Sequence, residues 1–128
     1  MRNQECDEIK RLLALNEDEL YHELAIRLEE SATSMYGPSA LINAGRQAFD
    51  RLRKKLYVRI CLESRFCNKL DDPQLNDEVT LVVTLADLIA SGAIGVPIPP
   101  ILLSTLLVKI GIRKFCSDEA LKSNSGGE

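Results

Sequence analysis

Apolar positions near the start of the chain recur with the spacing of a helix face. Leu20, Leu24 and Leu28 lie four residues apart, as one face of an α-helix requires. Asn16 stands before this run and Glu19 follows three residues later, which is typical of a capping box at a helix N-terminus. A shorter apolar edge precedes Asn16. The pattern therefore predicts two helices in the first thirty residues.

A longer segment, residues 39–67, combines an apolar face with a basic one. At roughly 100° per residue, its apolar side chains fall within an arc about 80° wide. These are Ile42, Phe49, Leu52, Leu56, Ile60 and Cys67. The opposite arc, about 140° wide, is basic. It holds Arg51, Lys54, Lys55, Arg59, Arg65 and Lys69. The separation predicts one long amphipathic helix whose basic face is a candidate partner-binding surface.

The second half of the chain carries a nearly charge-free stretch. Between Val79 and Val108 the only charged residue is Asp87. Glycines and prolines interrupt the stretch, and interior prolines break helices. They are Gly92, Gly95, Pro97, Pro99 and Pro100. We therefore expect an apolar helical hairpin with a stiff connection, in which Pro99 or Pro100 occupies the first turn of the second helix and Gly111 caps its end.

Two segments also fit a different fold. Residues 56–62 alternate apolar and polar side chains, and residues 79–85 are rich in β-branched ones, so the two could pair as strands in an α+β domain. The helix is preferred because it accounts for the chain from Ile42 onward. The sequence thus predicts a mainly α single small domain of about five helices over residues 1–116, centred on the hairpin. Residues 117–128 are predicted to be a polar, flexible tail.

Composition limits the chemistry that the chain can perform. Its 128 residues suffice for one domain, and His22 is the only histidine. The sequence lacks the nucleophile elbow G-x-S-x-G, the phosphate-binding loop and the dinucleotide-binding glycine pattern. We expect His22 to be a solvated residue on a helix surface. The sequence therefore predicts no enzymatic activity, no catalytic residues and no cofactor.

The four cysteines do not have the spacing of a metal site. Cys6, Cys61, Cys67 and Cys116 include no C-x-x-C pair, which argues against structural zinc. The first ten residues lack the apolar run of a secretory signal. We therefore expect the cysteines to be reduced and mostly buried, the protein to be cytoplasmic and no metal to be bound.

Charge is segregated along the chain although the net charge is only −3. Residues 1–30 carry nine acids and four bases, residues 31–70 carry two acids and eight bases, and residues 71–128 carry eight acids and four bases. Such blocks give orientation to an interaction. We therefore expect a non-enzymatic interaction or regulatory module that binds a protein partner or forms a homo-oligomer.

Two other functions fit the same features less well. A protein that docks on or inserts into a membrane through residues 79–110 is the first alternative, with the basic helix at the headgroups. Nucleic-acid binding through the basic 51–69 face ranks third, because the sequence offers no base-reading motif and few aromatic residues beside the cations.

Overall fold

The fold is mainly α-helical, as the sequence predicts. A computed structural model of the chain describes residues 2–28, 37–91 and 98–126. Six α-helices occupy these ranges, and no strand occurs within them. Their bounds are Arg2–Leu13 (α1), Glu17–Leu28 (α2), Pro38–Tyr57 (α3), Glu78–Ser91 (α4), Pro100–Ile110 (α5) and Ile112–Gly126 (α6). Both segments of the strand alternative are therefore helical.

The capping box between α1 and α2 forms as predicted. The backbone N–H of Asn16 donates to Glu19 Oε1 at 3.0 Å, and the N–H of Glu19 donates to Asn16 Oδ1 at 2.8 Å. This exchange satisfies two backbone donors at the helix start. Arg11 then ties α1 to α2 through Glu23, with 2.8 Å between Nη1 and Oε1. This ion pair joins the two helices across the turn between them.

Helices α2 and α3 approach each other closely at Gly45. A Cβ atom at this position would overlap the carbonyl oxygen of Tyr21. The contact brings Leu20, Tyr21 and Leu24 against the inner face of α3, where Phe49 is fully buried. The rings of Tyr21 and Phe49 pack edge to face with centroids 6.0 Å apart. Only glycine allows this backbone approach, so Gly45 sets the distance between the two helices.

The long helix ends earlier than residue 67. After Tyr57 the chain continues as a π-helical turn, Val58–Glu63, closed by a hydrogen bond from the Ser64 N–H to the Arg59 carbonyl. Arg65 then takes a left-handed conformation with φ of 49°, which an α-helix does not tolerate. A π turn advances each residue by less than the roughly 100° of an α-helix. Ile60 is buried, as α-helical spacing also places it, whereas Glu63, which continued α-helix would turn inward, is exposed.

The predicted apolar hairpin is the centre of the molecule. Helix α5 is buried on most sides from Leu102 to Leu107, and α4 packs against it through Val82, Leu85 and Ile89. Pro100 is the first residue of α5, and Gly111 ends it with φ of 102°. Of the predicted connection, Gly92, Gly95 and Pro97 lie outside the described residues.

Most of the segment predicted as a polar, flexible tail lies in helix α6. Helix α6 runs through residues 117–126 rather than ending near residue 116. One turn of it is fastened by Glu119, whose Oε2 lies 3.5 Å from Nη1 of Arg53 on α3. Glu119 is only 7% exposed. This contact was not foreseen, because a polar residue that pairs inside the fold resembles a solvated one in sequence.

Two of the cysteines are not reduced. Cys61 in the π-helical turn and Cys116 in α6 form a disulfide, with Cα atoms 5.8 Å apart and 55 residues of sequence separation. Cys6 and Cys67 are free and half-buried. Spacing along the chain did not reveal the pair, because only the fold brings the two positions together. The disulfide also removes the reduced-cysteine argument for a cytoplasmic location.

Candidate functional site

Three cations on the outer face of α3 form the main charged feature without internal partners. Arg51, Lys54 and Lys55 are exposed and lie at i, i+3 and i+4 along the helix. Among the described residues, none of the three makes an ion pair or a side-chain hydrogen bond. Their charges are therefore available to a binding partner.

Two exposed aliphatic side chains continue this face toward the end of the helix. Val58 is 36% exposed and Leu62 is 53% exposed. They follow the cations at successive turns, since the π-helical turn keeps Leu62 outward while Ile60 is buried. We call the surface formed by Arg51, Lys54, Lys55, Val58 and Leu62 the basic stripe. It joins positive charge to apolar area, a combination found at binding surfaces rather than at purely solvated faces.

The disulfide anchors the apolar end of the basic stripe. Cys61 lies between Val58 and Leu62 in the π-helical turn, and its bond to Cys116 ties that turn to α6. A π turn is less regular than an α-helix and commonly occurs at functional sites. The covalent link restricts the movement of the turn relative to α6. The two aliphatic side chains lie in this restrained turn, directly after the lysines in sequence.

Arg59 belongs to the predicted basic face but has an internal role. Its Nε donates to the Leu88 carbonyl at 3.3 Å, and its Nη2 donates to Ser91 Oγ at 2.8 Å. These groups are the last turn of α4, where a cation is favoured by the unpaired carbonyls. Glu63 adds an ion pair at 3.4 Å. Arg59 thus caps α4 and offers little charge to a partner.

Arg65 and Lys69 do not continue the basic stripe. Arg65 is the left-handed residue that separates the π-helical turn from a short 3₁₀ turn, Phe66–Lys69, in which Lys69 lies. Both side chains are exposed. Because the helix has ended, helical spacing no longer relates them to the cations of α3. The structure therefore groups three of the six predicted cations.

Arg53 was missed by the sequence reasoning although it is the best-connected cation. Its guanidinium lies 5.0 Å from the centroid of the Phe49 ring and 5.8 Å from that of Phe115. It also pairs with Asp50 at 2.7 Å. Burial disfavours the charged form, but the hydrogen bond to Asp50 and nearby negative charge outweigh it and raise the pKa of Arg53. Its place on the apolar arc, four residues after Phe49, was the signal of an internal role.

A groove opens on another part of the surface, between α2 and the start of α3. It has a volume of about 370 Å³. Its lining residues are Leu15, Asn16, Asp18, Glu19, His22, Glu23 and Ile42. We call it the α2–α3 groove. Leu15 and Ile42 give it an apolar floor, and three carboxylates stand on its rim.

The described residues bring together few of the side chains that catalysis would need. They contain no group of three or more His, Cys, Asp or Glu side chains that could hold a metal ion. His22 lines the α2–α3 groove, where Asp18, Glu19 and Glu23 are its titratable neighbours. Among the free thiols, burial raises the pKa of Cys67 although Arg113 opposes the shift, and this disfavours the reactive thiolate. A nucleophile paired with a base is not formed by these groups.

Both apolar helices of the predicted hairpin lie within the described residues, as do Pro99 and Pro100 of its connection. Pro99 is the N-cap of α5 and Pro100 is its first residue, and both are half-buried. The aliphatic side chains of α4 and α5 face mainly inward, against each other and the remaining helices. In the described part of the chain, no helix combines the length and apolarity that crossing a membrane requires.

Comparison with known protein families, curated proteins and solved structures finds no match to this chain. The candidate function therefore rests on the surface geometry alone.

Proposed function

We propose that the chain is a non-enzymatic interaction module that binds an acidic protein surface through the basic stripe. The observation that carries this proposal is the lack of any internal partner for Arg51, Lys54 and Lys55 among the described residues. Other cations of the same segment, Arg53 and Arg59, are held in ion pairs and helix caps. The contrast favours a partner outside the chain for the three free cations.

The two parts of the basic stripe contribute differently to such binding. Charged groups steer encounter and select orientation, whereas apolar area supplies most of the binding free energy. Burying aliphatic surface stabilises a complex by about 25 cal/mol per Å². Val58 and Leu62 supply this area directly beside the lysines. The disulfide reduces the conformational freedom that the π-helical turn would otherwise lose on binding.

The other two candidate functions have less support. A membrane-inserting hairpin would have to expose Leu85, Leu103 and Leu106, all of which are buried. Nucleic-acid binding would use the same cations for phosphates, but affinity and base selection usually need more phosphate contacts and base-reading side chains than three cations provide. An acidic protein surface matches both the charge and the apolar part of the basic stripe.

The test uses a fluorescent helical peptide rich in Glu and Leu as the probe, with binding measured by anisotropy. We expect the double variant Lys54→Glu/Lys55→Glu to weaken binding by at least about tenfold, since reversed charges repel the acidic probe. Leu62→Asn should weaken it by a smaller factor. A matched control, Lys10→Glu/Lys109→Glu, makes the same change in net charge at exposed lysines of α1 and α5. The control should retain most of the affinity.

Two parallel measurements separate the classes of partner. Vesicles containing anionic lipid and a short DNA duplex are titrated with the same variants. Binding of the peptide that depends on the basic stripe, with weaker binding to vesicles and duplex, supports the proposal. Tighter binding to vesicles or duplex that is lost in Lys54→Glu/Lys55→Glu overturns it in favour of that class. Equal loss of peptide binding in the control variant also overturns it.

A further inference from the structure

We infer that the acidic partner is a second copy of this chain, whose α2–α3 groove receives the basic stripe. The inference rests on the proposed function and names the partner of the same surface. It predicts a heterologous contact, in which two different surfaces of the molecule meet.

The chemistry of the α2–α3 groove is the complement of the basic stripe. Leu15 and Ile42, both half-buried, form an apolar floor within a rim of carboxylates. The basic stripe presents the exposed Val58 and Leu62 on the turns that follow the exposed lysines. Docking would place apolar area on apolar area and cations against carboxylates. Each surface therefore complements the other, since both have apolar area and their charges are opposite in sign.

The charge around the groove remains negative after the internal ion pairs are considered. Arg46 pairs with Asp18 at 2.6 Å, and Arg11 pairs with Glu8 at 2.7 Å and with Glu23 at 2.8 Å. Glu19, although engaged as a helix cap, keeps its charge, and the neighbouring Glu17 is exposed. Five carboxylates thus surround two guanidinium groups. The carboxylates without a guanidinium partner can accept hydrogen bonds from incoming ammonium groups. The paired carboxylates can do so as well, through lone pairs that their ion pairs do not use.

One molecule cannot satisfy its own two surfaces. Ile42 and Lys54 are twelve residues apart on α3, which is roughly 18 Å along a helix axis. Helical spacing also directs Ile42 toward the core side and Lys54 toward the outer side. The groove of one copy and the basic stripe of another are therefore the surfaces that meet. Each added copy leaves a free stripe at one end and a free groove at the other, which generates a ring or an open chain.

The contact is expected to be weak and sensitive to salt. A single helix face against a shallow groove buries less than the roughly 1,200 Å² typical of stable interfaces. Exposed ion pairs are screened at moderate ionic strength. Self-association should therefore grow with protein concentration and shrink with added salt, as expected of a transient assembly.

Sedimentation velocity on the full chain tests the inference with two charge-neutralising variants. Lys54→Gln/Lys55→Gln removes charge from the basic stripe and leaves the groove intact. Asp18→Asn/Glu23→Gln removes charge from the groove and leaves the stripe intact. We expect wild type to form dimers and longer species at low salt, and each variant alone to be at least about tenfold weaker in association. An equimolar mixture should restore association but stop at a heterodimer, because only one complete interface remains.

Each outcome decides the inference. Restoration limited to a heterodimer supports it. It is overturned if the wild-type protein stays monomeric at high concentration and low salt. It is also overturned if the mixture of variants associates no better than either variant alone, because that result would indicate a contact between identical surfaces. A monomeric wild type that still binds the acidic peptide through the basic stripe leaves the proposed function standing. A wild type that neither self-associates nor binds the peptide overturns both. Circular dichroism of each variant verifies that it is folded.

Discussion

Both the inner and the outer face of α3 carry an arginine, but the two arginines have different surroundings. On the inner face, Arg53 lies over two phenylalanine rings and between two carboxylates. On the outer face, Arg51, two positions away, pairs with no described residue. Charge alone therefore does not distinguish a cation with a structural role from one that is a candidate for binding. The surroundings of the guanidinium group distinguish them.

The two faces of α3 also differ in what fastens the helix to the rest of the fold. Its inner face is held at one end by the close approach of Gly45 to α2 and at the other by the disulfide at Cys61. Its outer face contributes to none of these attachments. Changes to the inner face should therefore alter stability, and changes to the outer face should alter binding. The following predictions test this division, beginning with the largest effect.

Gly45→Ala should cause the greatest loss of stability. The added Cβ would overlap the Tyr21 carbonyl oxygen, and backbone cannot yield as a flexible side chain would. We expect the free energy of unfolding to fall by about 3 kcal/mol or more, beyond the usual cost of overpacking. Urea denaturation followed by circular dichroism measures the change. Gly37→Ala is the control, because a Cβ there meets nothing within 4 Å and should change stability by less than about 1 kcal/mol. A Gly45→Ala variant as stable as wild type would contradict the close approach.

Removing the disulfide should have the next largest effect. Cys61→Ser/Cys116→Ser opens a link between residues 55 positions apart, so the unfolded chain gains conformational freedom. The expected loss is about 2–4 kcal/mol. Reduction of wild type with dithiothreitol should give the same urea midpoint as the double variant. Cys6→Ser, which changes a free cysteine, should leave the midpoint nearly unchanged. An unaltered midpoint on reduction would count against the pairing.

Arg53→Lys and Arg51→Lys compare the two faces directly. Lysine keeps the charge at position 53 but loses the planar stacking on Phe49 and Phe115 and the forked hydrogen bonding. We expect a loss of about 1–2 kcal/mol at position 53 and less than about 0.5 kcal/mol at position 51. Paired urea titrations give the difference. Equal effects at both positions would remove the distinction between the faces.

High pH should produce the smallest of these effects, through Tyr21. Burial of its phenol raises the pKa of Tyr21 above the usual value near 10, although nearby Arg53 opposes the shift. Above about pH 10, the unfolded tyrosine loses its proton while the folded one keeps it, so stability falls as pH rises. Tyr21→Phe should show a shallower decline of the urea midpoint between about pH 9 and pH 11. Parallel declines in the two proteins would refute this assignment.

Much of α3 and of the hairpin is predictable from the sequence. Helical spacing places Phe49, Leu52 and Leu56 inward and Lys54 outward, and the structure agrees. Such patterns are reliable because the hydrophobic side chains of a surface helix must face the core, whatever the detailed packing. The capping box at Asn16 is equally local and forms as predicted.

The features that the sequence did not reveal depend on contacts between distant residues. The bond between Cys61 and Cys116, the cap that Arg59 provides to α4 and the pairing of Arg53 with Glu119 each join separate helices. The π-helical turn is likewise joined to a distant element, because its Cys61 is bonded to Cys116 of α6. For the candidate site, the sequence supplied the three outer cations but also included Arg59, whose internal role only the fold exposes.

Binding through the basic stripe is tested most directly by a ¹H–¹⁵N correlation spectrum of the protein titrated with the acidic helical peptide. We expect the largest shift changes at Lys54, Lys55, Val58 and Leu62, and small ones at the buried residues of α5. That result would place binding on the outer face of α3 and leave the inner face to the fold. Changes concentrated in α4 and α5, or no changes at the basic stripe, would show that the outer face of α3 is not the binding surface.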